Sequence, residues 1–514
     1  MKAQTVVLLA IIVIIGALLR LWQISESFWI DELHTSWVVT GPITDVADRA
    51  ALGNQSPLYF WLAWLCARLS LGPEIAIRLP SLLAGCALPA AVFWLAQELL
   101  RGKEKTEDNT APLLAAALVA IDPLAIFYSQ EARPYALLLL TVVVHFALLL
   151  RILERTTWPA RVGWVLTGAL IVHWHYTGAL ILVAECVSLV VLMIFSPKST
   201  NEQTCGDKND VAMCGSCWVD LGVLALLLLP AIPGILAVAA RRENWEQFVK
   251  PQAAVEILRM FPWTPAIIVL GLLNSKRPVV SPRNLVLLAG WLLVPLCLAW
   301  ICTRTDLAAL FHKRYLIAAW PASILAAALC VRLGLNRATQ AAIAAVVLAI
   351  SFANSGLVQN WRQDGRLLHD RREDWRAAMG ELSSLLAREQ DRNSALVLLN
   401  SGLIEADELP QSQDPRLIEY CLYPLSGAYS IPDGAQAYPV TKTNSGKYLL
   451  PAAYAQLQAP TTRSVWVIGR GSPIAREETL RGLDKWMDPG TTWAPQPPQT
   501  FGTVYLQQVI VRER

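Results

Sequence analysis

Phe28-Trp29-Ile30-Asp31-Glu32-Leu33-His34-Thr35-Ser36-Trp37 follows an apolar run from Thr5 to Leu21 and sets two adjacent carboxylates, Asp31 and Glu32, where a membrane helix should end. A carboxylate costs roughly 2.5–3.5 kcal/mol at the centre of a bilayer and less at its edge, so it persists where it is solvated or used. Two readings compete. In one, the stretch is a polar helix terminus of the kind common at interfaces, where aromatic residues collect. In the other, Asp31 points into a cavity at the membrane surface and takes a proton from an acceptor, with Glu32 as its neighbour.

The rest of the chain favours a membrane setting. Of 514 residues, 54% are hydrophobic and 16% charged, more apolar than a soluble protein, whose charged share is usually about 25%. A net charge of +3 without any basic run of five or more excludes nucleic acid as the evident partner. A span needs about 20 apolar residues, and about eleven candidate runs occur. They lie near residues 5–21, 79–100, 111–127, 134–150, 162–173, 178–195, 218–240, 266–273, 285–302, 315–333 and 338–352. The first lacks a small-residue cleavage site, so it reads as an uncleaved anchor with the N-terminus in the cytoplasm. Arg101 to Lys105, Arg151 to Arg161, Lys276-Arg277 and Arg332 to Arg337 then face the cytoplasm. Gln23 to Arg78, Tyr128 to Arg133, Arg241 to Phe261, Thr303 to Arg314 and the C-terminal tail face outward. Within the first outer loop, Ser56 to Leu65 mixes aromatics and leucines in a run suited to a helix lying in the interface.

After Ser355 charged residues become frequent and long apolar runs cease, which predicts a membrane domain over 1–354 and a soluble domain over 355–514. Strands are expected at Ala395–Leu399, Ser464–Ile468 and Gly502–Val511, with helices from Asp374 to Leu386 and around Glu477 to Trp486, an α/β or α+β layer domain. Six cysteines, Cys66, Cys86, Cys186, Cys297, Cys302 and Cys330, sit in or beside apolar segments as small hydrophobes. Cys205, Cys214 and Cys217 share one polar loop, where Cys214-Gly215-Ser216-Cys217 has the spacing of a zinc or redox pair but lacks a partner pair. His173 and His175 end the fifth run; with Glu32 or His34 they are the candidate ligands of a divalent metal ion, against the plainer reading that they cap a turn.

Four pieces together resemble the GT-C class of membrane glycosyltransferases that use lipid-linked sugars. The branch is that of the bacterial lipid A aminoarabinose transferase, the protein O-mannosyltransferases and the rhizobial core galacturonosyltransferases. The pieces are Trp29-Ile30-Asp31-Glu32; Ser56-Pro57-Leu58-Tyr59 with Arg78-Leu79-Pro80-Ser81; Tyr128-Ser129-Gln130-Glu131-Ala132-Arg133-Pro134-Tyr135; and His312-Lys313-Arg314-Tyr315. Many relatives have two prolines where this chain has Ser56-Pro57. The similarity covers roughly residues 5–350 and carries nothing over for the tail.

The resemblance implies an all-α polytopic membrane protein of about eleven spans, with interfacial helices in the first outer loop and the soluble tail domain appended. It implies an inverting transfer of a hexose or pentose from a polyprenyl-phosphate donor to a lipid, cell-envelope glycan or protein acceptor, at the outer face of the inner (plasma) membrane. Asp31 is then the base, a role that a carboxylate raised in pKa at a dry membrane edge suits, and Glu32 orients it or binds acceptor or metal. The departing polyprenyl phosphate gains negative charge, for which Arg133, Lys313 and Arg314 are the candidate cations, arginine's planar fork suiting phosphate oxygens. The plainer reading of each is an interface cation snorkelling to water. Arg241 and Arg242 are weaker candidates of the same kind. Tyr59, Arg78, Gln130, Glu131, Tyr135 and Tyr315 are candidate donor or acceptor contacts. The rival class is a transporter or lipid flippase with an outer domain, which predicts charge within spans and two related halves. Asp122 and Glu185 are the main carboxylates within spans, no internal repeat is evident, and glycine-rich nucleotide motifs are absent.

Overall fold

The structure, a computed structural model, describes residues 2–101, 108–195, 215–241, 249–276, 278–334, 336–368, 372–388, 395–432, 434–443, 445–471, 473–487 and 490–513. The chain divides into two compact units: Met1–Ile24, Asn54–Tyr59 and Arg78–Leu368 form the first, and Ser25–Gly53, Phe60–Ile77 and His369–Arg514 the second. The expected roles of Cys205, Cys214 and Arg242 and of the basic positions Lys103, Lys105 and Arg277 lie outside the described residues, as does the side chain of Cys217.

The first ten helices are α1 Ala3–Leu21, α2 Ile30–Thr40, α3 Val46–Leu52, α4 Leu58–Cys66, α5 Pro73–Leu100, α6 Thr110–Ile121, α7 Pro123–Ser129, α8 Tyr135–Glu154, α9 Trp158–Trp174 and α10 Ala179–Phe195; later ones are named by residues. All eleven apolar runs are helical. Among the described residues, however, seven helices are long and apolar enough to cross a membrane, or eight if the bent pair α6 and α7 is one span. Of the others, Trp158–Trp174 and Ile317–Leu333 stand at the lower limit of span length, while Ala266–Asn274 has nine residues, about 13 Å at 1.5 Å per residue. Leu58–Cys66 is equally short, so the first loop contributes short helices and no further span.

In the first unit, Asp122-Pro123 makes the 60° bend between α6 and α7. Proline removes a backbone donor and disfavours helix at the residue before it, and Asp122 then caps α7 by accepting the Leu124 and Ala125 amides at 2.9 and 3.1 Å. The carbonyls left over at the end of α6 find a donor in Arg20. Its guanidinium donates to Ala120 O at 3.0 Å and Val119 O at 3.1 Å while Nε reaches Ser129 Oγ at 3.0 Å, so this buried arginine pins α1 to the bend. The segment after Ser355 stays with this unit as far as Leu368. Leu357, Leu367 and Leu368 pack on Ile126, and Gln23 Oε1 accepts the amides of Leu367 and Leu368 at 2.6 and 3.1 Å.

The second unit is built on a six-stranded mixed sheet ordered β2-β1-β3-β6-β4, with β5 beside β6. The strands are β1 Ala395–Asn400, β2 Gln436–Pro439, β3 Ser464–Arg470, β4 Thr491–Pro495, β5 Gln499–Phe501 and β6 Val504–Glu513. Every residue of β1 is buried, as its unbroken Ala-Leu-Val-Leu-Leu run requires of a strand covered on both faces and paired in parallel with β2 and β3. β6 runs antiparallel to β3, β4 and β5. The three expected strands and two expected helices are present; β2, β4 and β5 are additional and short.

Candidate active site

The candidate residues divide between the two units, Asp31, Glu32 and His34 in the second and the others in the first. In the second, α2 carries Asp31 and Glu32 in its first turn. Of residues 30–39, only Asp31 is not buried; Glu32 is wholly so. The rest of the helix is fixed by aromatic packing. His34 meets Phe60, Tyr420 and Tyr423 edge-on at 5.5, 5.8 and 5.5 Å between ring centres, and its Nε2 lies 3.3 Å from the Arg49 carbonyl. His34 is thereby a core histidine. Trp29 stands at the N-cap and its side chain makes no capping bond. The Ile30 amide instead donates to Glu373 Oε2 at 2.9 Å.

In the first unit, the turn after α7, the break between α9 and α10 and the segment His312–Tyr315 build a cationic aromatic cluster. Tyr135 lies between Tyr128 and His175, with ring centres 4.7 and 5.4 Å away, and His175 is 6.2 Å from Tyr315. Arg314 stands over the Tyr135 ring and donates a hydrogen bond to the Tyr128 hydroxyl. Burial, then the charges of Arg133 and Arg314, push the His175 pKa down to about 3, so its imidazole is neutral at physiological pH. Its Nδ1 accepts the Thr177 amide at 3.3 Å, which assigns the proton to Nε2. Arg133, Arg314, Tyr135, Tyr315 and His175 are therefore brought together. Lys313 is not part of that set: it is exposed and lies in the field of Asp122.

Other candidates support this cluster from behind. Tyr59 and Ser81 share a hydrogen bond of 3.2 Å, and Ser81 Oγ donates to the Arg133 carbonyl at 2.8 Å, so the motif Ser56–Tyr59 steadies the turn that presents Arg133. Arg78 is fully buried and donates to Ile24 O at 2.7 Å; Gln130 Nε2 donates to Arg20 O at 2.9 Å. Both hold the end of α1. Glu131 is wholly buried beside Tyr128. Arg241 donates to Asn54 Oδ1 at 3.2 Å. His173 turns the other way from His175, its Nε2 2.8 Å from Leu227 O, and among the described residues no three His, Cys, Asp or Glu side chains converge as a metal site would need.

Sequence reasoning passed over Tyr128, although it stands inside a quoted motif, and Glu74, Glu373, Arg376 and Tyr429, for which no local pattern exists. Glu74 Oε1 accepts from Tyr429 Oη at 2.5 Å and from Arg376 Nε at 2.9 Å. These partners are hundreds of positions apart, so only the fold pairs them.

The family model for dolichyl-phosphate-mannose-protein mannosyltransferase matches residues 54–203, which include the turn bearing Arg133 and the break bearing His175. No curated protein sequence matches the chain. Among solved structures, ArnT from Cupriavidus metallidurans, bound to undecaprenyl phosphate, superposes with a TM-score of 0.55 at 11% identity, over 99% of this chain and 98% of that one. The Archaeoglobus fulgidus oligosaccharyltransferase in its apo form gives 0.54 at 12% identity, over 95% of this chain and 72% of that one. The archaeal oligosaccharyltransferase AglB from the same organism, in complex with an inhibitory peptide and a dolichol-phosphate, gives 0.51 at 12% identity, over 91% and 69%. At such identities the likeness carries the fold, and the fold is that of the GT-C class of membrane glycosyltransferases, the class that the motifs of this chain resemble.

Proposed function

We propose that the chain is an inverting glycosyltransferase that moves a hexose or pentose from a polyprenyl-phosphate donor to an envelope lipid, glycan or protein on the extracytoplasmic face of the inner membrane. The N-terminus is cytoplasmic in this reading. The observation that carries it is the convergence of Arg133 and Arg314 on a neutral His175 beside Tyr135, of which Arg133, Tyr135 and His175 lie within the residues that the mannosyltransferase model matches. Undecaprenyl phosphate in the ArnT structure and dolichol-phosphate in that of AglB support a polyprenyl phosphate as the donor lipid here.

The steps follow from charge. As the bond to the anomeric carbon breaks, negative charge grows on the leaving phosphate, and Arg133 and Arg314 stabilise it at a site where aromatic rings exclude water. A neutral His175 leaves both arginines available to the phosphate and adds an Nε2–H donor. Lys313, exposed, draws the anionic headgroup from outside the cluster. Asp31 accepts the proton of the attacking hydroxyl, and Glu32 orients it; where the acceptor is itself a phosphate, Asp31 positions it without acting as base.

The test compares, by mass spectrometry, the envelope glycolipids, polysaccharide and glycoproteins of cells carrying the natural chain with those carrying Asp31→Asn. Loss of one sugar mass from one acceptor class is expected and identifies both substrates. An unchanged envelope, with the variant expressed, removes Asp31 from the mechanism.

A further inference from the structure

The start of α2, which bears Asp31, is defined by a residue 343 positions away. The first amides of a helix have no partner within it and are ordinarily met by a nearby Ser, Thr, Asp or Asn. Trp29 offers no such oxygen. Glu373 supplies it: Oε2 accepts the Ile30 amide at 2.9 Å and the Trp375 indole N–H at 2.7 Å, while Oε1 accepts from Arg470 at 2.8 Å. A carboxylate at a helix N-terminus is favoured by the helix dipole as well.

Glu373 is itself held rigidly. Its backbone bridges to Gly502, the Thr503 amide donates to Arg372 O at 2.8 Å, and the Asp374 amide donates to Phe501 O at 3.3 Å. Gly502 has φ +65°, and a Cβ there would collide with the Arg372 carbonyl. Arg470 ends β3 next to the end of β1, between the two strands where the order 2-1-3 reverses direction. In open α/β sheets that is the crevice where ligands bind. Here it holds the chain's own carboxylate. A second tie secures the entry to α2: Arg376 donates to Ser25 O at 2.6 Å, its amide donates to Ser27 Oγ at 3.1 Å, and the Phe28 amide donates to Tyr429 Oη at 3.2 Å.

We infer that Glu373, backed by Arg470, is a positioning residue for Asp31: the C-terminal sheet domain sets the first turn of α2 and with it the direction of the acceptor-side carboxylate. The inference rests on the reading of Asp31 given above. It assigns to a domain without recognisable motifs a part in the transfer step and none in donor binding.

The experiment uses the full-length protein in Glu373→Ala, Glu373→Gln, Arg470→Gln and Asp31→Asn forms. Transfer is measured on the acceptor identified above, undecaprenyl phosphate is the binding probe, and hydrogen exchange is followed in peptides spanning Ser27–Leu33. Glu373→Ala is expected to lower kcat about 10- to 100-fold, as small displacements of a catalytic group do, with undecaprenyl phosphate binding unchanged and exchange at Ile30–Leu33 faster. Glu373→Gln keeps an acceptor for the Ile30 amide and should recover most of kcat; Arg470→Gln should fall between. Wild-type kcat and exchange in Glu373→Ala, beside an inactive Asp31→Asn, overturn the inference and leave the Asp31 reading intact. Full transfer by Asp31→Asn overturns the base reading instead, and the exchange data then report separately whether Glu373 holds α2. Faster exchange with donor binding lost in equal measure would make Glu373 merely structural and also overturn the inference.

Discussion

Arg314 stands over the ring of Tyr135, its guanidinium carbon 5.9 Å from the ring centroid, while its sequence neighbour Lys313 is exposed. Of the two adjacent cations only Arg314 reaches the aromatic face, where cation–π attraction holds its guanidinium. Arg314→Ala is expected to cost about 3–4 kcal/mol in transition-state stabilisation, a loss of roughly 10²- to 10³-fold in turnover. Lys313→Ala should cost far less, and chiefly at low ionic strength. Equal losses in the two variants, measured by transfer in detergent, would mean that the place over Tyr135 is irrelevant to the reaction.

His175 should not titrate near neutrality. Its pKa is pushed down to about 3 by burial and the two arginine charges, against an ordinary value near 6.5. The fold therefore favours the neutral ring, and the unfolded chain takes up the proton first. The stability that His175 contributes is full above pH 6.5 and lost as pH falls toward 3. In NMR spectra of protein labelled at histidine Cε1, one signal should stay flat from pH 5 to 8 and disappear in His175→Phe. A midpoint near 6.5 for that signal would contradict the charge arrangement.

Tyr429 joins Glu74 to Phe28 through one hydroxyl, and burial together with the Glu74 hydrogen bond raises its pKa to about 12. A raised tyrosine pKa favours the protonated form in the fold, so its contribution is full below pH 10 and lost as pH rises through about 12. Tyr429→Phe should destabilise the second unit by about 1–3 kcal/mol, since Glu74 and the Phe28 amide both lose a partner. Chemical unfolding followed by tryptophan fluorescence reads this directly, and no change in midpoint would refute it.

Gly502→Ala should be more harmful than its size suggests. The left-handed backbone at φ +65° and the nearby Arg372 carbonyl leave no room for a methyl group, and a cost of about 1–3 kcal/mol is expected. The strand bridge that fixes Glu373 would loosen with it. Exchange in Ser27–Leu33 should therefore quicken in Gly502→Ala, far from the substituted residue in sequence.

Much of the fold was legible because a bilayer imposes simple rules. Runs such as Tyr135–Glu154 and Pro282–Arg304 must be helical to satisfy their backbone, so apolar length locates them. The rules failed where length alone does not decide. Asp122-Pro123 sits inside an apolar run that reads as one span, yet the proline and the capping carboxylate break it by 60°. The end of the membrane unit was similarly hidden. Composition changes at Ser355, but Leu357, Leu367 and Leu368 still bury against Ile126, and burial follows apolar side chains rather than average charge.

By itself the sequence determined the membrane class, the central strands of the tail and the short motifs that bear Asp31, Arg133 and Arg314, because periodicity, span length and motif spacing are local properties. Only the tertiary structure decided which of those residues meet. It turned Arg314 inward beside His175 and left Lys313 outside. It made His34 a core ring and sent His173 and His175 to different partners. It also gave α2 its cap from Glu373. Apart from the local His175–Thr177 bond, these rest on contacts between positions tens to hundreds of residues apart, whose energies exist only once chain entropy has been spent in folding, and no local pattern in the chain records them.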